Sequence, residues 1–141
     1  MTQECTLIVE TERPVMMTCA NGAGIEKGAI LKLSDPMTVA LADGDADYVA
    51  GIAASEKING DGCTKIAVYL GGIFKGTAGA LGVTAGKSLM TYNGTGDDND
   101  IVDASNAGVS SKTLGYALET AANNETFLFR LMPCCNCSTL A

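Results

Sequence analysis

Cys63-Thr64-Lys65-Ile66-Ala67-Val68-Tyr69-Leu70-Gly71-Gly72-Ile73-Phe74-Lys75 alternates strictly before a glycine pair interrupts it. Thr64, Ile66, Val68 and Leu70 fall on one face, and Cys63, Lys65, Ala67 and Tyr69 on the other. A period of two sends successive side chains to opposite sides of an extended chain, so residues 63–70 read as a strand with one buried and one partly solvated face.

The same grammar extends in both directions. Short apolar or alternating runs closed by Gly, Asp or Asn recur at 6–9, 15–19, 29–33, 37–41, 49–54, 73–75, 88–92, 114–118 and 126–132. No long stretch holds an apolar stripe at helical spacing without an intervening glycine, so helix is confined to a turn or two near 77–81. The turns carry suitable chemistry. Ser34-Asp35-Pro36 presets one through the fixed proline φ, and Asp43-Gly44, Asn59-Gly60, Asp61-Gly62 and Asn93-Gly94 offer the positive φ of tight hairpins. The expected fold is all-β, a small barrel or sandwich of about ten short strands.

A loose internal repeat orders these strands. Gly24-Ile25-Glu26-Lys27-Gly28 opens a strand, an acidic turn follows, then Gly51-Ile52-Ala53, an Asn-containing loop and the strand ending at Leu70. Gly82-Val83-Thr84-Ala85-Gly86 opens the same series, which passes through Gly115-Tyr116-Ala117 and ends near Met132. The units 24–70 and 82–132 are read as two similar β-modules closing on one core inside one domain, 11–133. Residues 1–10 form an N-terminal arm or edge strand, and 134–141 a Cys-rich tail.

Composition removes several classes of chemistry. The 141 residues include no His and no Trp, which excludes Ser-His-Asp and Cys-His catalysis and His-ligated zinc or haem in cis. The net charge of −7 opposes a nucleic-acid surface, which needs a basic stripe. No 18-residue apolar run is present, and the acidic start Met1-Thr2-Gln3-Glu4 is unlike a secretory leader, so the expectation is a chain made without membrane insertion or export.

Three motifs invite functional readings. Gly82-Val83-Thr84-Ala85-Gly86-Lys87-Ser88 approaches a P-loop but is one residue short and leads into a strand, where a phosphate loop must open a helix. Asp43, Asp45 and Asp47 have calcium-loop spacing, yet Tyr48 and Ala54 stand where Gly and Glu are required. Asp97, Asp98, Asp100 and Asp103 read as a second acidic turn, solvated or contributing to a weak divalent-ion site shared with a neighbouring subunit. Cys134, Cys135 and Cys137 lack the paired spacing of structural zinc. With Cys5 they are left as free thiols, as disulfides formed after release or, least favoured, as metal ligands, and Cys19 and Cys63 read as core residues. No metal, cofactor or enzymatic activity is expected.

The stretches Ala50-Gly51-Ile52-Ala53-Ala54, then 64–75, then Thr84-Ala85-Gly86-Lys87-Ser88-Leu89 resemble the capsid decoration (cement) proteins of tailed bacteriophages, and within them the small family often mislabelled as recombinase-like. The likeness spans roughly residues 12–132 and rests on the order and spacing of Gly-anchored strands. It implies a structural virion protein on the outer surface of a phage head, made in the host cytoplasm. Its partner would be the major capsid protein, whose neighbouring subunits it would clamp, often as a homotrimer. Thr6, Leu7, Ile8 and Val9 would suit an arm adding a strand to a neighbour's sheet edge, or an ordinary first strand of the same chain. Another self-assembling or tail-associated structural protein, or a small extracellular binding module, is the alternative class.

Overall fold

Frequent turn residues cut this chain into strands too short to form a wide sheet, and two small closed barrels result. A computed structural model describes residues 4–44, 48–92, 99–103 and 113–133. Its strands are β1 (Thr6–Val9), β2 (Val15–Thr18), β3 (Ile30–Asp35), β4 (Thr38–Leu41), β5 (Val49–Ala53), β6 (Lys65–Tyr69), β7 (Gly72–Ala78), β8 (Ser88–Tyr92), β9 (Asp100–Asp103), β10 (Gly115–Ala117) and β11 (Thr126–Leu131). The described residues contain no helix, so the turn of helix expected near 77–81 is replaced by the end of β7 and a turn.

The first barrel closes in the order β2-β4-β3-β5-β6, with β6 returning to β2. The second closes as β7-β9-β8-β10-β11, with β11 returning to β7. The two orders are the same. Each has one parallel strand pairing, Thr18 with Thr38 in the first and Thr77 and Ala78 with Asp100 and Ile101 in the second, and, among the described residues, one isolated bridge, Ile25 with Lys57 and Val83 with Ala121. The two-module reading therefore holds, but the modules close as two barrels with separate apolar clusters and not on one core, and each unit begins a strand earlier than the sequence suggested, at β2 and at β7. β9 was also missed, because Asp100-Ile101-Val102-Asp103 reads as part of an acidic turn; the structure makes it a strand with Asp100 buried.

The registers align the barrels residue by residue. Ile66, Val68 and Leu70 correspond to Phe127, Phe129 and Leu131, and Met17 to Gly76. The volumes trade places: Met17 fills the first barrel beside smaller neighbours, while a Cβ on Gly76 would come within 2.8 Å of the Phe129 ring and 2.9 Å of Ile101. Dense interiors tolerate such exchange only when total volume is kept. Phe127 and Phe129 pack at a 5.6 Å centroid separation and Phe74 stacks on Phe129 at 6.1 Å, which places all three phenylalanines in the core.

The barrels share a buried junction. Ile30, Ala42, Val49 and Ile52, on the outside of the first barrel, belong to the same apolar cluster as the interior of the second. Every residue of β5 is buried, because one face lines its own barrel and the other lies against the neighbour. Side-chain hydrogen bonds cross the junction: Ile30 N–H donates to Asn99 Oδ1 at 2.8 Å, and Thr91 Oγ1 donates to Gly44 O at 3.0 Å.

Candidate interaction surfaces

β1 lies outside the repeat and ties the barrels together. Cys5 N–H donates to Gly28 O of the first barrel at 2.9 Å, while Thr6, Leu7 and Val9 pair with Lys75, Phe74 and Ile73 of the second. Gly28 permits this approach: its φ is +90°, and a Cβ there would lie 2.6 Å from Cys5 O. Of the two readings left open for residues 6–9, the strand is thus paired within its own chain. It sits at the margin of the six-stranded sheet, and its sequence partner on β7 is shared further along with β9, at Thr77 and Ala78. Leu7 packs half-buried on the core, whereas Thr6, Ile8 and Val9 are exposed. Among the described residues no strand pairs with the outer side of β1, which leaves an edge of the kind that accepts an added strand.

Cys5 was grouped with Cys134, Cys135 and Cys137 as a possible disulfide or tail contact, and it is the one of the four that the structure describes. It is buried in the junction, and burial, with the Glu4 carboxylate adding to it, pushes its thiol up to about 12. Cys134, Cys135 and Cys137 lie outside the described residues. Cys19 is buried and its thiol is also pushed up by burial, while Cys63 is exposed. Beside β1 runs a cleft of about 380 Å³ lined by Glu4, Cys5, Thr6, Leu7, Lys27 and Tyr69.

Asp43 and Asp103, from the two acidic segments, bond within the chain. Lys32 Nζ donates to Asp43 Oδ1 at 2.7 Å, and this bond holds the Asp43 carboxyl below the usual range. Asp103 Oδ1 accepts from Thr84 N–H at 2.9 Å. Asp45, Asp47, Asp97 and Asp98 lie outside the described residues. Among those described, no group of three or more Cys, Asp or Glu converges as metal ligands would. Gly82 to Lys87 turns directly into β8, as its resemblance to a turn leading into a strand required.

Sequence reasoning passed over Lys57. It is buried, and its Nζ donates to the carbonyls of Asn21 at 2.8 Å, Ala23 at 3.0 Å and Ile58 at 3.2 Å, with Asp61 Oδ1 3.6 Å away. Asp61 also accepts from Cys63 N–H at 2.8 Å and Ile58 N–H at 3.2 Å; the first of these bonds is the main cause of its lowered pKa. A lysine between Glu56 and Ile58 carries no sequence signal of burial. The corresponding residue of the second barrel is Ala121, so the caged ammonium belongs to one module only.

These features define a class: a tandem of two five-stranded β-barrels, fused through an apolar junction and bordered by an open edge strand. No protein-family model and no curated protein sequence matches the chain. Among solved structures it is similar to the N base of the head fiber gp8.5 of bacteriophage phi29, at 18% identity and a TM-score of 0.52, covering 84% of this chain and 92% of that one. The likeness establishes a shared fold with a phage structural protein.

Proposed function

We propose that the chain is a structural protein of a phage particle that binds the outer surface of the head and clamps neighbouring capsid subunits, acting as a trimer and without enzymatic activity. The observation that carries this reading is the fold, which is similar to that of a head-fiber base over 84% of this chain and 92% of that one. The resemblance of residues 12–132 to decoration proteins points to the same particle, and the exposed margin of β1 offers a means of attachment by strand addition. The major capsid protein is the partner.

The test is direct. Purified particles should contain the chain in fixed ratio to the capsid subunit, and heads lacking it should open at lower temperature or lower salt. Its absence from particles, or unchanged resistance of depleted heads, would overturn the reading. The likeness to a fiber base also favours a second reading, in which the chain anchors a projection and adds nothing to shell strength. Images showing a projecting fiber on this chain, with heads equally heat-resistant in its absence, would select that one.

A further inference from the structure

We propose that the end of the first barrel formed by Val15, Leu33 and Met37 is a docking socket for an apolar β-sheet face of a shell subunit. The proposal rests on the function argued above and names the surface that carries out the attachment.

The chain contains an occupied version of this socket. One end of the second barrel is covered by the outer face of the first, and the residues at that covered end include Phe74, Thr91 and Asn99, exposed by 1%, 4% and 6%. Phe74 meets Tyr69 edge-on at 5.7 Å, Thr91 bonds Gly44, and Asn99 bonds Ile30. The shared register gives their counterparts in the first barrel. Val15 pairs with Val68 as Phe74 pairs with Phe129, and Leu33 pairs with Val39 as Thr91 pairs with Ile101. Met37 precedes Thr38 as Asn99 precedes Asp100, and both carry a positive φ, 51° and 71°.

Among the described residues, nothing provides the cover at this second end. Val15, Leu33 and Met37 are exposed by 36%, 47% and 54%, and Tyr48, whose carbonyl accepts from Leu33 N–H at 2.9 Å, by 57%. Large apolar groups gathered at one exposed place mark an interaction site more often than a solvated surface. They also replace the hydrogen-bonding Thr91 and Asn99 with side chains suited to burial alone.

The occupied socket shows what fits. It receives a sheet face bearing Ile30, Val49 and Ile52. A second copy has no such face free, because its own is already buried against its second barrel. The matching positions on the second barrel are Ser88, Thr113 and Tyr116, which are too polar to replace it. A head-to-tail contact of this kind is heterologous, and it ends here on a different protein instead of continuing into a fibre of copies.

The experiment adds the purified full chain to heads lacking it and measures bound chain per head across a concentration series. Leu33→Lys with Met37→Lys should weaken binding by about tenfold or more, the loss of a buried apolar anchor. Met37→Asn, which installs the residue that adopts this backbone in the second barrel, should weaken it several-fold with an unchanged melting temperature and so decides the matter if the double variant misfolds. Ile58→Lys, on an exposed loop beside the Lys57 cage, should bind as the parent does. Equal binding by the socket variants overturns the socket and leaves attachment to heads standing. A parent chain that does not bind heads overturns the functional reading and the proposed occupant with it. A parent that sediments as an oligomer, with socket variants monomeric, makes the occupant a second copy and also overturns the proposal.

Discussion

Asn99 Oδ1 accepts the Ile30 N–H at 2.8 Å across the junction between the two barrels, 69 residues apart in sequence and with both residues buried. Ile30 stands on the outside of the first barrel, where its N–H has no strand partner to turn to. The side chain of Asn99 supplies the acceptor, and its φ of 71° aims it there.

Asn99→Ala removes that acceptor and places a Cβ-bearing residue without local hydrogen bonding in a left-handed conformation. The expected loss is about 2–4 kcal/mol, from the stranded donor plus backbone strain. Asn99→Gly relieves the strain but not the stranded donor, and should recover about 1 kcal/mol of it. Thermal or urea denaturation of both variants measures the difference.

Gly51→Ala and Gly115→Ala occupy equivalent places, and each should cost roughly 3 kcal/mol or more. A Cβ at Gly51 would overlap Tyr69 O, and one at Gly115 would overlap Arg130 O, backbone atoms that cannot rotate away. Failure to fold, or a comparable fall in denaturation midpoint for both, is the expected result. A neutral effect at either position would contradict the alignment of the two barrels.

Lys57→Met should destabilise by roughly 2–4 kcal/mol, because three carbonyls lose a charged donor in a buried site and Asp61 loses its nearest cation. Ala121→Lys in the second barrel should be worse tolerated than a surface substitution, since no such cage is built there. Chemical denaturation at neutral pH checks both.

Cys5 makes stability depend on alkaline pH. Its folded pKa of about 12 lies above the ordinary thiol value of 9.0, so the stabilisation is complete below pH 9 and is lost as pH rises towards 12. The unfolded chain ionises first over that window, and stability should fall by about 1.4 kcal/mol per pH unit. Cys5→Ala should flatten this slope while lowering stability at neutral pH. In the native parent, a thiol reagent should label Cys63 well before Cys5.

Deletion of residues 1–9 should lower the melting temperature, in contrast to removal of a detachable arm. It takes Cys5 and Leu7 out of the junction and the pairing of β1 from β7, a loss of roughly 3 kcal/mol. Val9→Pro, which alters the strand's outer end but leaves the Cys5 contact, should cost less. Comparison of the two by calorimetry separates the strap from the edge.

The strands were legible because their signals are local. Alternation at 63–70 and the Gly- and Asx-bearing turns depend on a residue and its immediate neighbours, and the spacing of Gly51 and Gly115 exposed the repeat. β9 was illegible, since its aspartates resemble a solvated turn until Thr91 and Ile101 are paired across it. Lys57 was illegible for a similar reason: two of the three carbonyls that hold its ammonium come from residues 21 and 23, more than thirty positions away.

By itself the sequence determined an all-β chain of two related modules, free of histidine chemistry, with an apolar first strand. Backbone period and turn chemistry suffice for that, because they act over a few residues. Only the tertiary structure decided that the modules are separate closed barrels and that one barrel's outer face covers the other's end. It also decided that Cys5 and β1 strap the two together and that, among the described residues, Val15, Leu33 and Met37 are left uncovered. Those outcomes depend on which surfaces meet at long range, and a side chain such as Leu33 or Thr91 carries no local mark of whether another barrel will lie against it.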